Sequence, residues 1–195
     1  PRLVVTASSV HDPDTPGGNV GSKATLGDLS GLERYASSEG LSKTFDMVDG
    51  NEYDGDKAYK DSKLCNVFFA LEAQRRLAAK TSKVKAECFS PGLVSSSGLF
   101  RNQNPIFSTI FDLAATYVLK VAATLGQGGD TLVEMVTTKS LEKGAGGRFL
   151  ATSPGKPKST FAPQSVSLEA QDVAKGQRLW DLSAACVGLG ATTPI

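Results

Sequence analysis

Apolar and polar positions change period several times along the chain. Leu3-Val4-Val5 is a short β-branched run that stops at Ala7-Ser8-Ser9. It predicts a strand covered on both faces, as in a parallel sheet. From Val10 to about Gly55 the regular pattern is lost among Pro13, Pro16, Gly17, Gly18, Gly21, Gly27, Gly31, Gly40 and Gly50. So many breakers predict loop with short helical pieces. Between Asp56 and Lys80, Leu64, Val67, Phe68 and Leu71 recur at helical spacing, with Glu72, Arg75 and Arg76 at other positions. Val84 to Phe89 reads as a second strand, closed by Ser90-Pro91-Gly92.

The pattern continues with a helix from Ile106 to Leu125, opened by Pro105. Gly128-Gly129 predicts an interruption, and Asp130 to Thr138 a further helix. Gly146 to Ala151 suggests a third, short strand, and residues 152 to 165 a loop rich in Pro, Ser and Lys. Ser167 to Val187 predicts a final helix, with Ser167 as N-cap, Glu169 and Gln171 in its first turns, and Gly188 as its stop. Strand, helix, strand, helix, strand, helix is the alternation of a parallel α/β sheet. The chain opens directly on the first strand, at Pro1-Arg2-Leu3, so a fragment lacking its N-terminal part is expected.

Composition narrows the functional classes. The 195 residues carry 21 Lys plus Arg against 20 Asp plus Glu, which excludes a polybasic nucleic-acid binder. Three cysteines at unrelated spacings make no disulfide scaffold, and one His with no CxxC argues against a zinc enzyme. No apolar run approaches the length of a transmembrane helix. By residues alone the chain reads as soluble and intracellular, binding a small molecule.

The chemistry concentrates at Tyr59-Lys60-Asp61-Ser62-Lys63, at the front of the long helix. Tyr59 and Lys63 are four apart and share a face. An ammonium one turn away favours the phenolate, so the expected effect is a lowered tyrosine pKa, below about 10. Such a pair can exchange a proton with substrate. Ser8-Ser9 ends the first strand, where open α/β sheets place ligands. Pro91-Gly92 ends a second strand at the same edge, and a glycine there permits close backbone approach. His11, the only histidine, reads as a loop imidazole facing water, with a substrate contact beside Ser9 as the other reading. Cys65 on the long helix reads as core.

Strand-Ser, Tyr-x-x-x-Lys and strand-Pro-Gly in this order resemble the short-chain dehydrogenase/reductase family. The resemblance implies a Rossmann-type, doubly wound parallel sheet whose N-terminal half is missing here. It makes residues 1–195 the C-terminal part of one such domain, with a long insert at about 10–55. It implies Tyr59 as proton donor or acceptor, Lys63 as the residue holding the nicotinamide ribose, and Ser9 as the residue orienting the reacting group. Pro91, Gly92 and Ser96 would flank the nicotinamide, with Tyr59 and Lys63 completing that contact.

The insert is similar to a narrower branch. Pro16-Gly17-Gly18-Asn19-Val20, Lys23 to Leu32, Met47-Val48-Asp49-Gly50, Asp54 to Asn66, Gly98-Leu99-Phe100-Arg101 and Arg178 to Ser183 resemble the light-dependent protochlorophyllide oxidoreductases. That branch implies NADPH as cofactor, protochlorophyllide as substrate, chlorophyll biosynthesis as the setting and a plastid as the compartment. Leu93, Phe100 and His11 become its substrate-side candidates. The segment holding Phe100, Phe107, Ile110, Phe111, Leu113 and Tyr117 would cover the substrate, meet a membrane surface or form core. A homo-oligomer is also compatible with the pattern.

Two departures stand out. The branch usually has Cys after Pro-Gly, and here the residue is Leu93, which donates neither a proton nor a hydrogen bond. The Gly-rich phosphate turn is absent, because Gly126-Gln127-Gly128-Gly129 follows no strand. Two other readings therefore stay open. One is a related reductase acting on an alcohol or carbonyl of a small lipophilic molecule. The other is a truncated, non-catalytic product.

Overall fold

The computed structural model describes residues 1–37, 47–94, 122–139, 141, 144–153 and 160–189. Ser96, Phe100 and the segment expected to be helical from Ile106 to Val121 lie outside the described residues. Strand β1 is Arg2–Thr6, helix α1 is Ser30–Ala36, and helix α2 is Gly55–Ala79. Strand β2 is Lys85–Phe89, helix α3 is Leu125–Thr137, β3 is Phe149–Ala151 and β4 is Ala162–Gln164. Helix α4 is Val173–Cys186. Short 3-10 turns cover Ser9–His11 and Glu169–Gln171.

Among the described residues the strands form one sheet in the order β1-β2-β3-β4. The pairs β1–β2 and β2–β3 are parallel, in register Arg2 to Lys85 and Cys88 to Phe149. Antiparallel β4 closes the far edge, with Leu150 opposite Pro163. Proline lacks an N–H, so an edge position is where a strand tolerates it. That is why a strand stands inside the stretch expected to be loop.

Alternation along the strands sends neighbouring side chains to opposite faces. Val5, Cys88, Phe149 and Ala151 join Leu64, Val67 and Phe68 of α2 and Leu179 of α4. Val4, Phe89 and Leu150 turn the other way, toward Met135 of α3, Leu141 and Phe161. Helices thus cover both faces, as in a doubly wound α/β sheet.

Several elements differ from the sequence reading. Ala122 makes a parallel bridge with Leu93, and Thr124 caps α3 in a box with Gln127, so the helix expected to run to Leu125 does not include 122–124. Nor does Gly128-Gly129 interrupt the chain there: α3 runs straight through it. A Cβ at Gly128 would stand 2.9 Å from Val94 Cγ2, so the glycine lets α3 approach the loop after β2. Asp172, not Ser167, caps α4, by accepting from Lys175 N–H. The Ser167 hydroxyl instead accepts from Ala170 N–H in the preceding 3-10 turn.

One charge sits inside the sheet. Glu87 is fully buried on β2 and pairs with Arg148 at 2.5 Å, while Arg148 also donates to the Leu141 carbonyl. Losing one partner of such a pair costs more than the pair contributes, because the other charge stays desolvated. We expect Glu87→Gln to lower unfolding free energy by about 3 kcal/mol in urea titrations. A midpoint like the wild type's would show that Arg148 reaches solvent at no cost.

Candidate active site

The long helix begins where Asp54 accepts from the N–H groups of Asp56 and Lys57. This is a side-chain N-cap, and a carboxylate also suits the helix dipole. Its first turns carry two classes of polar residue. Lys57, Lys60 and Asp61 face the insert and are consumed by it. Tyr59 and Lys63 face elsewhere.

Lys60 is buried, and its ammonium donates to the carbonyls of Val20 and Ser22 and to Asp56. A lysine ammonium has three protons, so its capacity is filled. Asp56 also accepts from Ser22 N–H at 2.9 Å, and Asp54 from the Ser22 hydroxyl. Asp61, also buried, accepts from Thr25 N–H at 2.9 Å and from Lys57 at 2.5 Å. Lys57 further donates to the Thr25 carbonyl and to Asp49. Burial works against the Lys57 charge, but hydrogen bonds to Asp61 and Asp49 outweigh it and raise its pKa. Leu26 N–H meets Glu169, which pairs with Lys175 of α4, and Arg178 pairs with Glu33 of α1. The insert is thereby fastened to both α2 and α4.

The sequence reading gave Lys57, Lys60 and Asp61 no role. Their signal was present as two interleaved i,i+4 pairs, Asp56 with Lys60 and Lys57 with Asp61.

Ser8 and Ser9 divide their tasks. Ser8 caps the 3-10 turn, accepting from Val10 N–H. The Ser9 carbonyl accepts from Asp12 N–H and the Thr15 hydroxyl, while its own hydroxyl has no hydrogen-bond partner among the described residues. The turn packs against α2. Tyr59 is about a third exposed at 37%, and Lys63 places its ammonium 5.2 Å from the Tyr59 ring centroid. Neither the phenol nor the ammonium has a hydrogen-bond partner among the described residues. Burial pushes the Tyr59 pKa up, opposite to the expected lowering by Lys63. The ammonium lies over the ring face, a cation–π arrangement, and desolvation decides the phenol's protonation.

Pro91-Gly92 follows β2 after Ser90, so its loop and the Ser9 turn leave the same end of two paired parallel strands. Gly92 has φ +86, and a Cβ there would sit 3.2 Å from Ala123 Cβ. Leu93 is part-buried and its carbonyl accepts from Ala123 N–H. It packs where the loop meets the start of α3.

His11 corrects the sequence reading. It is buried rather than facing water, with its ring edge-on to Phe149 at 4.8 Å. Nδ1 lies 2.7 Å from the Ser8 carbonyl and Nε2 accepts from Ser167 N–H, so the Nδ1–H tautomer is in place. With both nitrogens occupied, it joins the Ser9 turn to the segment before α4. Cys88 is buried within β2, and burial pushes its thiol up to about 12. Cys65 is likewise pushed up to about 12, so both thiols stay protonated.

The chain is 37% identical over 188 residues to the chloroplastic protochlorophyllide reductase of Daucus carota. It is 36% identical to protochlorophyllide reductase B of Hordeum vulgare and 37% identical to protochlorophyllide reductase A of Arabidopsis thaliana. Each match takes in 96% of this chain. These relatives belong to the short-chain dehydrogenase/reductase family, and this chain is similar to them along nearly its whole length. It spans about 45% of the length of these curated relatives, in their C-terminal part. No family model matches it. Among solved structures, an uncharacterised protein of Mycobacterium paratuberculosis aligns with a TM-score of 0.56 at 20% identity, over 98% of this chain and 52% of that one. That likeness supports the Rossmann-like fold alone.

Burial lowers the His11 pKa, opposed by its bond to the Ser8 carbonyl and by Asp12. Protonation therefore opposes folding. The contribution of neutral His11 is complete above the unfolded pKa of about 6.5 and is lost as pH falls through the lower folded value. As His11 is the only histidine, we expect the urea midpoint to drop from pH 7 to pH 5.5 and His11→Gln to flatten that slope. An equal slope in the variant would assign the dependence to carboxylates.

Proposed function

We propose that this segment is the catalytic part of an NADPH-dependent reductase acting on protochlorophyllide in a plastid. The observation that supports this reading most is that the Ser9, Tyr59 and Lys63 side chains have no hydrogen-bond partner among the described residues, beside a hydrogen-bonded Lys57–Lys60–Asp61 network. The similarity to these reductases and the chloroplastic names of the relatives agree with it.

The residues present fit one side of a nicotinamide cofactor. Gly92, at positive φ beside Ala123, offers backbone that a side chain would obstruct. When bound, the cofactor supplies a hydride. Lys63 would hold a ribose hydroxyl. Ser9 would orient the reacting group. Tyr59 would give its phenolic proton to the carbon opposite the one receiving hydride, which completes a two-electron reduction of a double bond. A raised phenol pKa keeps Tyr59 protonated at neutral pH, so it serves as an acid. The domain assignment of residues 1–195, with its insert at about 10–55, belongs to the same proposal.

One observation favours a second reading. Leu93 puts an apolar side chain after Pro-Gly, where the branch usually has Cys. A reductase of some other small lipophilic carbonyl compound would suit it.

In the full-length protein with NADPH and protochlorophyllide, we expect turnover under illumination and none in darkness. Tyr59→Phe should slow it by about a hundredfold or more, the scale of general acid catalysis. Equal turnover in light and dark on a carbonyl substrate would select the second reading. Full activity of Tyr59→Phe would remove tyrosine from the proton transfer.

A further inference from the structure

Tyr59, Lys63 and Asn66 stand at positions i, i+4 and i+7 of α2, on one helical face. Among the described residues Asn66 has a hydrogen-bond partner that the other two side chains lack: its Nδ2 donates to the Thr6 carbonyl at 2.9 Å. Thr6 ends β1, three residues before Ser9.

The Thr6–Ala7 peptide explains why that bond matters. Its N–H donates to the Phe89 carbonyl of β2 at 2.8 Å. In a trans peptide the C=O points the opposite way, so the Thr6 carbonyl is directed away from β2. Asn66 meets it there. A single peptide is thus held from both sides, by the sheet and by the helix bearing the proton-handling pair. Beyond it the chain enters the turn that carries the Ser9 hydroxyl.

We propose that Asn66 is a positioning residue, setting Ser9 in register with Tyr59 and Lys63, a role that rests on reading those two as the reacting pair. It touches neither substrate nor cofactor and acts through the strand end. Leucine in its place keeps the bulk and loses the donor. The Thr6 carbonyl then has no partner from α2, and Ser9 samples positions out of register with Tyr59.

The test uses the full-length protein with NADPH and protochlorophyllide under light. In Asn66→Leu, amide exchange at Ala7, Val10 and His11 should quicken about tenfold, as for loss of one hydrogen bond. Turnover should fall about tenfold with KM within about twofold, as for misplacement of a reacting group. In a Ser9→Ala background the same change should cost about twofold or less, because both substitutions remove one function. Asn66→Ser, smaller and soluble, serves should the leucine variant not fold. Unchanged exchange would overturn the proposal, as would turnover losses that multiply in the double variant. Failure of the underlying reading shows elsewhere, in a fully active Tyr59→Phe, whatever Asn66 does to exchange.

Discussion

A buried lysine ammonium without acceptors is far too costly to keep, and the arrangement around α2 follows from that constraint. Lys60 stays in the interior only because the Val20 and Ser22 carbonyls and Asp56 take its three protons. Those acceptors come from the insert and from the helix's first turn. Placing the lysine therefore places the insert. Asp61 repeats the logic with opposite charge, taking Thr25 N–H and Lys57. Leu26, Leu29 and Leu32 of the insert are then free to complete the apolar core over α2.

The same helix carries the groups that have no hydrogen-bond partner among the described residues, and that division gives the candidate site its character. Lys57, Lys60 and Asp61 bond to the insert and to the first turn of the helix, whereas the Tyr59 and Lys63 side chains have no hydrogen-bond partner among the described residues. The polar groups at a reacting centre must be held without being consumed. Here the helix is fastened by neighbours of Tyr59 along α2, and Tyr59 itself sits part-exposed. His11 does the equivalent for the Ser9 turn, tying it to Ser167 across the sheet end.

Much of this was readable from the sequence, and the gaps have physical causes. The β1 and β2 runs and the α2 periodicity are long or pure enough to survive any context. Ser9, Tyr59, Lys63 and Gly92 carry the family's spacing. The β4 strand was hidden because Pro163 reads as a breaker unless the strand is known to be an edge. Helix α3 was shortened because Gly128-Gly129 looks like a stop, although Thr124-x-x-Gln127 is a capping-box pattern. His11 was misread because burial depends on Phe149 and Ser167, far away in sequence. The pKa of Tyr59 was expected to fall from its spacing to Lys63, but direction depends on where the ammonium sits over the ring and on how much water remains. Ser96 and Phe100 lie outside the described residues, and their roles rest on resemblance.

The most direct test of the account is NADPH binding by the full-length protein, followed through nicotinamide fluorescence in darkness, where no turnover competes. Saturable binding that weakens by about tenfold or more in Lys63→Met, a loss on the scale of a charge-assisted hydrogen bond, is the predicted result. Equal binding by wild type and Lys63→Met, or none by either, would contradict the assignment of this helix face to a nicotinamide cofactor.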